Sequence, residues 1–225
     1  MDAYTEIEIR DGTRLAIRPI EPGDKAAIAE GFDRLSPESR YRRFFAPLDH
    51  LTQSDLRYLT EVDHENHEAL IAFDPEGDRP VGVARFVRSS DPSVAEVAVT
   101  VIDDWQGRGV ATALLEQLVQ RAREVGIERF LALILADNDA AIELFRQLST
   151  GDPEPRMVEA GNAELLIDLP AGEEISGTLL GRALRSAASS DLVMNPWRRL
   201  KARLKETAEH PLVDPAPGHE RTEER

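Results

Sequence analysis

The sequence of 225 residues contains no cysteine. This absence excludes disulfide bonds, thiolate metal sites and a cysteine nucleophile, and it suits a reducing compartment. No apolar run approaches the roughly 20 residues that a membrane-spanning helix needs. Residues 1–6 contain neither the basic nor the apolar part of an export leader. We therefore predict a cytoplasmic protein with no transmembrane segment.

The chain is strongly acidic, with 42 acidic and 27 basic residues and a formal net charge of −15. The excess of acid lies before Pro170, because acidic and basic side chains balance from there to the end. An acidic body repels the phosphates of nucleic acids and attracts cationic partners. It can also serve solubility alone, so the charge predicts that no nucleic acid is bound but does not identify a substrate.

Hydrophobic periodicity predicts one folded domain over residues 1–169. Apolar residues make up 41% of the chain, which is enough to bury a core. Two helix starts are marked, since Ser36 precedes a proline at the first helical position and Thr52 opens a capping box. The predicted elements are a strand at 14–19, helices at 26–35, from 37 and around 56–59, strands at 69–73, 80–87 and 94–102, a helix at 110–125, a strand at 130–135, a helix at 139–148 and a strand at 165–169. This order is typical of an α+β sandwich with a mixed sheet.

Residues 170–225 are predicted to form a C-terminal extension outside this domain. A weak amphipathic stripe at 180–187 and a basic stretch opened by Asn195 and Pro196 predict two short helices. A disordered, acidic end is expected from Pro211 onward. The basic helix could contact a membrane surface, the acidic body or a second subunit, so a homodimer through this extension is an open hypothesis.

The main candidate site is a glycine turn between a predicted strand and the most amphipathic predicted helix. Glycines let the backbone turn tightly and approach a ligand closely. The helix start adds unpaired N–H groups and a partial positive charge, which suit a pyrophosphate, and an arginine in the turn adds a full charge. A purely structural turn is the alternative, because a glycine pair before a helix also occurs without a ligand. The residues of the turn are Gln106, Gly107, Arg108, Gly109, Val110 and Ala111.

Segment 99–111 resembles the acetyl-CoA signature of the GNAT superfamily of N-acetyltransferases, Gln/Arg-x-x-Gly-x-Gly/Ala. As in that superfamily, it follows a strand and opens a long amphipathic helix, and the resemblance spans residues 13–169. A dinucleotide-binding fold fits poorly, because the glycines follow a meander and lack the Gly-x-Gly-x-x-Gly spacing. Residues 18–20, 35–45 and 95–99 are similar to the catalytic domain of bacterial protein lysine acetyltransferases.

The resemblance implies a GNAT-type fold, in which helices flank a mixed and mostly antiparallel sheet, with acetyl-CoA as co-substrate and no metal. It implies that the strand backbone at Val99 and Val101 pairs with the pantetheine arm. It also implies that Asn138 contacts the cofactor or its loop, although an ordinary helix N-cap explains this residue equally well. Phe145 occupies the position at the cofactor where many members place a tyrosine that protonates the leaving thiolate, so no phenol is available there.

The resemblance also implies that Glu96 is the general base. An alkyl amine with a pKa of about 10.4 must lose a proton before it can attack a thioester. A carboxylate at the sheet edge, acting directly or through a water, can accept that proton. The alternative is a solvated strand carboxylate, because alternation places Glu96 on the face of Ala98 and Thr100, away from the valines.

The remaining charged side chains of interest are predicted to face solvent. His64 and His67 lie in a polar stretch before a strand, where too few ligands converge for a metal site. Arg40, Arg42 and Arg43 are expected on a solvated helix face, with contact to a CoA phosphate as the alternative.

Together these features predict direct transfer of an acetyl group to an amine, because no cysteine is present for a thioester intermediate. A protein lysine is the favoured acceptor, and a small amine or an amino acid is the alternative. The acceptor is expected in a groove between the helices at 26–61 and the sheet. A non-catalytic acyl-CoA-binding sensor is the second class of hypothesis, since position 145 lacks a phenol.

Overall fold

The computed structural model describes residues 4–74, 79–158 and 161–170. These residues form one eight-stranded sheet flanked by five α-helices. In chain order the elements are β1 Thr5–Glu8, β2 Arg14–Pro19, α1 Lys25–Asp33, α2 Pro37–Phe44, α3 Gln53–Thr60, β3 His67–Asp74, β4 Arg79–Arg88, β5 Val94–Val101, α4 Val110–Glu124, β6 Arg129–Leu135, α5 Asp139–Leu148, β7 Arg156–Met157 and β8 Asn162–Asp168.

The strands lie in the order β1-β2-β3-β4-β5-β6-β8-β7. All neighbours are antiparallel except β5 and β6. These two strands run parallel because α4 provides the crossover that a parallel pair requires. The predicted α+β fold with a mixed, mostly antiparallel sheet is therefore confirmed.

Both helix starts predicted from the sequence are confirmed. The Ser36 hydroxyl accepts a hydrogen bond from the Ser39 N–H at 3.1 Å, and a proline fills the first helical position. Thr52 and Asp55 form a capping box, in which the Thr52 N–H donates to the Asp55 carboxylate at 2.8 Å. Each cap satisfies backbone donors that have no partner inside the helix, so α2 and α3 begin at defined residues.

The periodicity does not predict the two edge strands, β1 and β7. Strand β1 has the sequence Thr-Glu-Ile-Glu and is mostly exposed, and β7 has only two residues, both exposed. An edge strand covers little of the core and carries polar side chains, so its apolar pattern is weak. Only pairing with β2 and β8 defines these strands.

Burial of β6 also differs from the expectation. Its continuously apolar sequence favours a strand covered on both faces, but Phe130, Ala132 and Ile134 are buried whereas the alternate leucines are half-buried. Helix α1, on the face opposite α4, makes its main contacts with α3 and β4. One face of β6 therefore stays partly open, next to the candidate site.

The two faces of the sheet carry different helices. Helix α4 crosses β3, β4 and β5 on one face, where a Cβ at Gly82 would lie 3.0 Å from the Leu114 side chain and from the Thr100 carbonyl. Glycine at position 82 thus permits the close approach of α4. The opposite face carries α1 and α3 over a smaller cluster that includes Ile28 and Ile71.

The extension predicted at 170–225 lies outside the described residues from 171 onward. Its two helices, its disordered end and the homodimer therefore stay predictions. No helix within the described part of the chain is long and apolar enough to cross a membrane.

Candidate active site

Strands β5 and β6 separate at the centre of the sheet. Their parallel register runs only from Val94 to Val97 against Arg129 to Ala132. Beyond it, β5 continues against β4 and β6 continues against β8. The Ile102 N–H donates to the Val81 carbonyl at 3.1 Å, and backbone groups alternate in direction along a strand. The backbone groups of Val99 and Val101 therefore point into the gap.

Gln106 occupies one end of this gap. Its Nε2 donates to the Val101 carbonyl at 3.1 Å and lies 3.4 Å from the Ser39 hydroxyl. The Val101 carbonyl thus already has a partner within the protein. The other gap-facing backbone groups of these two residues, the N–H and carbonyl of Val99 and the N–H of Val101, are the candidates to pair with an extended ligand.

The glycine turn adopts a conformation that requires glycine. Gly107 has φ of 71° and Gly109 has φ of 97°, both in the left-handed region that L side chains rarely adopt. The first intrahelical bond of α4 runs from the Ala113 N–H to the Gly109 carbonyl. The N–H groups of Val110 and Ala111 consequently have no partner inside the helix, and their side chains are buried. The turn therefore offers backbone donors at a helix N-terminus, which suits an anion.

Arg108 is held away from this helix start by the β1–β2 turn. Its Nε donates to Asp11 Oδ2 at 2.6 Å and its Nη2 to the Thr13 hydroxyl at 2.9 Å, while the guanidinium stacks on the Trp105 ring at 3.9 Å. Partial burial opposes ionisation of Asp11, but hydrogen bonds from Thr13 and Arg108 outweigh it and lower its pKa to about 2. The Asp11 carboxylate therefore compensates the Arg108 charge, and the positive character of the turn comes from the α4 N-terminus.

Asn138 precedes α5 as its N-cap, after the end of β6, and Phe145 lies within α5. Asn138 is buried and caps α5, since its Oδ1 accepts from the Ala141 N–H at 3.1 Å. Its buried Nδ2 has no hydrogen-bond partner among the described residues. The Phe145 ring is fully buried in the main core, so in this structure it offers no surface to a ligand.

Glu96 lies on β5 at the start of the gap, one residue before the parallel pairing with β6 ends. It is half-buried, and it shares its face of the sheet with Ala98 and Thr100, as alternation predicts. Val97, Val99 and Val101 face α4 instead and are buried. The carboxylate is therefore on the α1–α3 side of the sheet, next to the strand opening.

An open pocket lies on the same side, between helices α1–α3 and strands β4 and β5. Its cavity volume is about 70 Å³. Most of its lining is apolar, and the lining residues include Ile28, Phe32, Arg43, Val83, Arg85 and Thr100. This is the position in which the sequence places the acceptor groove.

Arg43 and His67 are less exposed than predicted. Arg43 is only 5% exposed and lines the pocket rather than a solvated helix face. His67 is half-buried, and its Nε2 lies 3.1 Å from Nη1 of the buried Arg85. Burial and the neighbouring Arg85 charge lower the pKa of His67 to about 3, so the ring is neutral at physiological pH. Arg85 is a further buried charge, and its one signal in the sequence is an arginine inside an apolar strand.

Asp103 connects the glycine turn to α2. Its carboxylate accepts from the Ser36 N–H at 2.8 Å, the Ser36 hydroxyl at 2.9 Å and the Ser39 hydroxyl at 2.7 Å. Burial acts to raise its pKa, but these hydrogen bonds outweigh burial and lower it below 3.8. The start of α2 and the segment before α4 are thereby fixed to each other.

We expect Asp103→Asn to lower the free energy of unfolding by about 1 kcal/mol at pH 7, because it weakens hydrogen bonds to a partly solvated charge. Since the folded-state pKa is lowered, the Asp103 contribution is present above pH 3.8 and is lost as pH falls through the folded-state pKa. Urea unfolding of both proteins from pH 7 downward measures this. The exposed Asp104→Asn is the control, since it removes the same charge one residue away. An equal loss in both variants would contradict the assignment.

This chain belongs to the acetyltransferase (GNAT) family, whose sequence profile matches residues 32–149. The acetyltransferase Pat of Mycolicibacterium smegmatis is 36% identical over 143 residues, which are 63% of this chain and 43% of that protein. The crystal structure of the GNAT domain of S. lividans PAT matches with a TM-score of 0.67 and 32% identity, over 74% of this chain and 97% of that one.

The predicted family and the predicted likeness to these bacterial acetyltransferases are confirmed. The chain spans less than half the length of the M. smegmatis relative. The structure of yncA from Salmonella typhimurium with its cofactor acetyl-CoA has the same fold, with a TM-score of 0.55 and 23% identity over 69% of this chain and 94% of that one.

Proposed function

We propose that this protein is an acetyl-CoA-dependent N-acetyltransferase that transfers the acetyl group directly to an amine, in the first instance a protein lysine. The observation that carries the proposal is the gap between β5 and β6, which leads to the N-terminus of α4. An extended arm can pair with the β5 backbone in this gap while an anionic group meets the helix start.

Three features of the chain fit acetyl-CoA. The N–H groups of Val110 and Ala111 would hold the pyrophosphate, and the backbone of Val99 would pair with the pantetheine arm. The buried Nδ2 of Asn138, with no partner among the described residues, is a donor suited to a ligand carbonyl. The bound co-substrate supplies an acetyl thioester, whose carbonyl is the electrophile.

Glu96 would act as the general base. An ammonium group in the pocket on the α1–α3 side gives up one proton to the Glu96 carboxylate, and the free amine then attacks the thioester carbonyl. The C–S bond breaks as the amide bond forms, the electron pair leaves with the thiolate, and the second proton of the attacking nitrogen passes to solvent water. Phe145 carries no proton to give, so the leaving thiolate departs without a side-chain acid at that position. The half-buried position of Glu96 beside the strand opening supports this role.

A protein lysine is the favoured acceptor because of the similarity to the bacterial Pat acetyltransferases. A small amine or an amino acid is the alternative acceptor. A cytoplasmic location and a homodimer through residues 170–225 remain part of the proposal. Measuring the molecular mass in solution before and after deletion of residues 171–225 tests the dimer. An oligomeric state that the deletion leaves unchanged would contradict it.

Thermal unfolding with and without acetyl-CoA tests the proposed cofactor. At a ligand concentration about 100 times the dissociation constant, we expect the free energy of unfolding to rise by about 2.7 kcal/mol. ATP is the control ligand, because it carries phosphates and adenosine but no pantetheine arm. An unfolding temperature that responds to neither ligand, or equally to both, would overturn the cofactor assignment.

A further inference from the structure

The pocket on the α1–α3 side contains two buried arginines in a mostly apolar wall. Arg43 is 5% exposed and Arg85 is 2% exposed, and both line the pocket. Among the described residues, no aspartate or glutamate lines it. A cationic pocket is unusual in a chain with a net charge of −15. The positive charge of this pocket therefore suits an anionic ligand.

Arg85 is held by neutral acceptors. Its Nη2 donates to the Leu59 carbonyl at 3.0 Å, and its Nη1 lies 3.1 Å from Nε2 of the neutral His67. Its Nε has no hydrogen-bond partner among the described residues. Burial lowers the pKa of Arg85 to about 10, so the guanidinium is still charged at neutral pH. A buried cation of this kind is stabilised by an anion that enters the pocket.

Arg43 adds positive character to the same pocket. Its side chain is 5% exposed and lines the wall to which Arg85 also contributes, and burial and the Arg85 charge both lower its pKa. A planar guanidinium fork matches the geometry of a carboxylate, and a small pocket with apolar walls suits a carboxylate on a short aliphatic stem.

Arg85 lies on the same face of the sheet as Glu96, the proposed general base. In the β4–β5 register, Arg85 lies opposite Ala98, and Val87 lies opposite Glu96. Arg85 and Glu96 are therefore diagonal neighbours on one face of the sheet, offset by two residues, or about 7 Å, along the strands. An amine placed at Glu96 would bring the rest of its molecule towards the arginines.

We propose that this pocket binds a carboxylate of the acceptor through Arg85, so that the acetylated amine belongs to a molecule carrying a carboxylate nearby. The inference rests on the proposed function and specifies its substrate class. Two sources share this chemistry, the carboxylate of a free amino acid and an acidic side chain beside a lysine in a protein.

Matched acceptors test the proposal with the wild-type protein. One arm compares ω-amino acids of increasing chain length with their carboxamides, and the other compares lysine peptides flanked by Glu with the same peptides flanked by Gln. We expect at least a tenfold higher kcat/KM for the carboxylate member in one arm, and that arm identifies the source. Equal kcat/KM values within every pair would overturn the proposal.

The variant Arg85→Met should abolish this preference, lowering kcat/KM for the carboxylate acceptor at least tenfold relative to kcat/KM for the amide acceptor. Arg79→Met is the matched control, because Arg79 is an exposed arginine on the same strand. The acetyl-CoA dissociation constant of Arg85→Met is measured in parallel and should equal that of wild type, which reports correct folding. A preference that survives in correctly folded Arg85→Met would contradict the assignment.

Ligand-induced stabilisation without acetyl-CoA separates this proposal from the proposed function. We expect the preferred amino carboxylate or acidic peptide to raise the unfolding temperature of wild type, and its amide to leave it unchanged. If transfer fails with every acceptor but this stabilisation is present, the proposed function is wrong and the carboxylate site stands. If transfer occurs but neither stabilisation nor acceptor preference is found, the carboxylate site is wrong and the transferase stands.

Discussion

We expect Glu96→Gln to lower kcat/KM for amine acetylation by about 10²–10⁴-fold, the usual contribution of a positioned general base. Glutamine has nearly the same shape as glutamate but cannot accept the ammonium proton. Glu96 lies at the start of the gap between β5 and β6 and on the face of the acceptor pocket. The acetyl-CoA dissociation constant should stay unchanged, because the proposed cofactor contacts come from the other face and from backbone groups. Steady-state kinetics and equilibrium binding measure the two quantities.

The exposed strand residue Glu6 provides a matched control. Glu6→Gln removes one negative charge from a strand at the sheet edge and should leave kcat/KM within twofold of wild type. A similar loss in both variants would show that net charge, rather than proton transfer at Glu96, controls the rate. If wild type binds acetyl-CoA but acetylates no amine of a broad panel, the sensor hypothesis replaces the enzyme.

The second large effect is expected at the glycine turn, where Gly109→Val should raise the acetyl-CoA dissociation constant at least tenfold, or about 1.4 kcal/mol. Gly109 has φ of 97°, which a β-branched residue adopts only with strain. An added Cβ would lie 3.5 Å from the Arg10 Cβ, an ordinary contact, so the effect comes from backbone conformation. Relaxation of the turn would displace the N–H groups of Val110 and Ala111.

Gly126→Val is the control for this experiment. Gly126 has φ of 79° just after the other end of α4, and a Cβ there meets no atom within 4 Å. Both variants should lose comparable stability from similar strain, but only Gly109→Val should lose affinity. Isothermal titration below the unfolding temperature of each variant separates the two effects. If Gly109→Val keeps wild-type affinity, the helix start does not bind the pyrophosphate.

The structure changes the interpretation of three arginines. Arg108 looks available for a phosphate in the sequence, but Asp11 and Thr13 hold its guanidinium in the structure. Arg43 is expected on a solvated helix face and Arg85 attracts no attention in the sequence, yet both are buried in the pocket on the α1–α3 side. Periodicity predicts which face of an element is apolar, but it does not predict which long side chain reaches from its edge into a cavity.

The sequence by itself determined the local features of this protein. The caps at Ser36 and Thr52, the left-handed glycines at 107 and 109 and the alternation that places Glu96 opposite the valines all depend on residues within a few positions of one another. Backbone sterics and hydrogen bonds over such short distances are fixed by residue type. The strand–turn–helix order around the turn was therefore predictable.

Only the tertiary structure decided where β5 and β6 separate, which carboxylate holds Arg108 and which charges enter the acceptor pocket. These features join residues far apart in the chain, such as Arg108 with Asp11, 97 positions away, and Arg85 with Leu59, 26 positions away. Such contacts form because packing of α4 and α1–α3 on the twisted sheet brings the segments together. No local pattern encodes that geometry, since it depends on the shape of every element in the core at once.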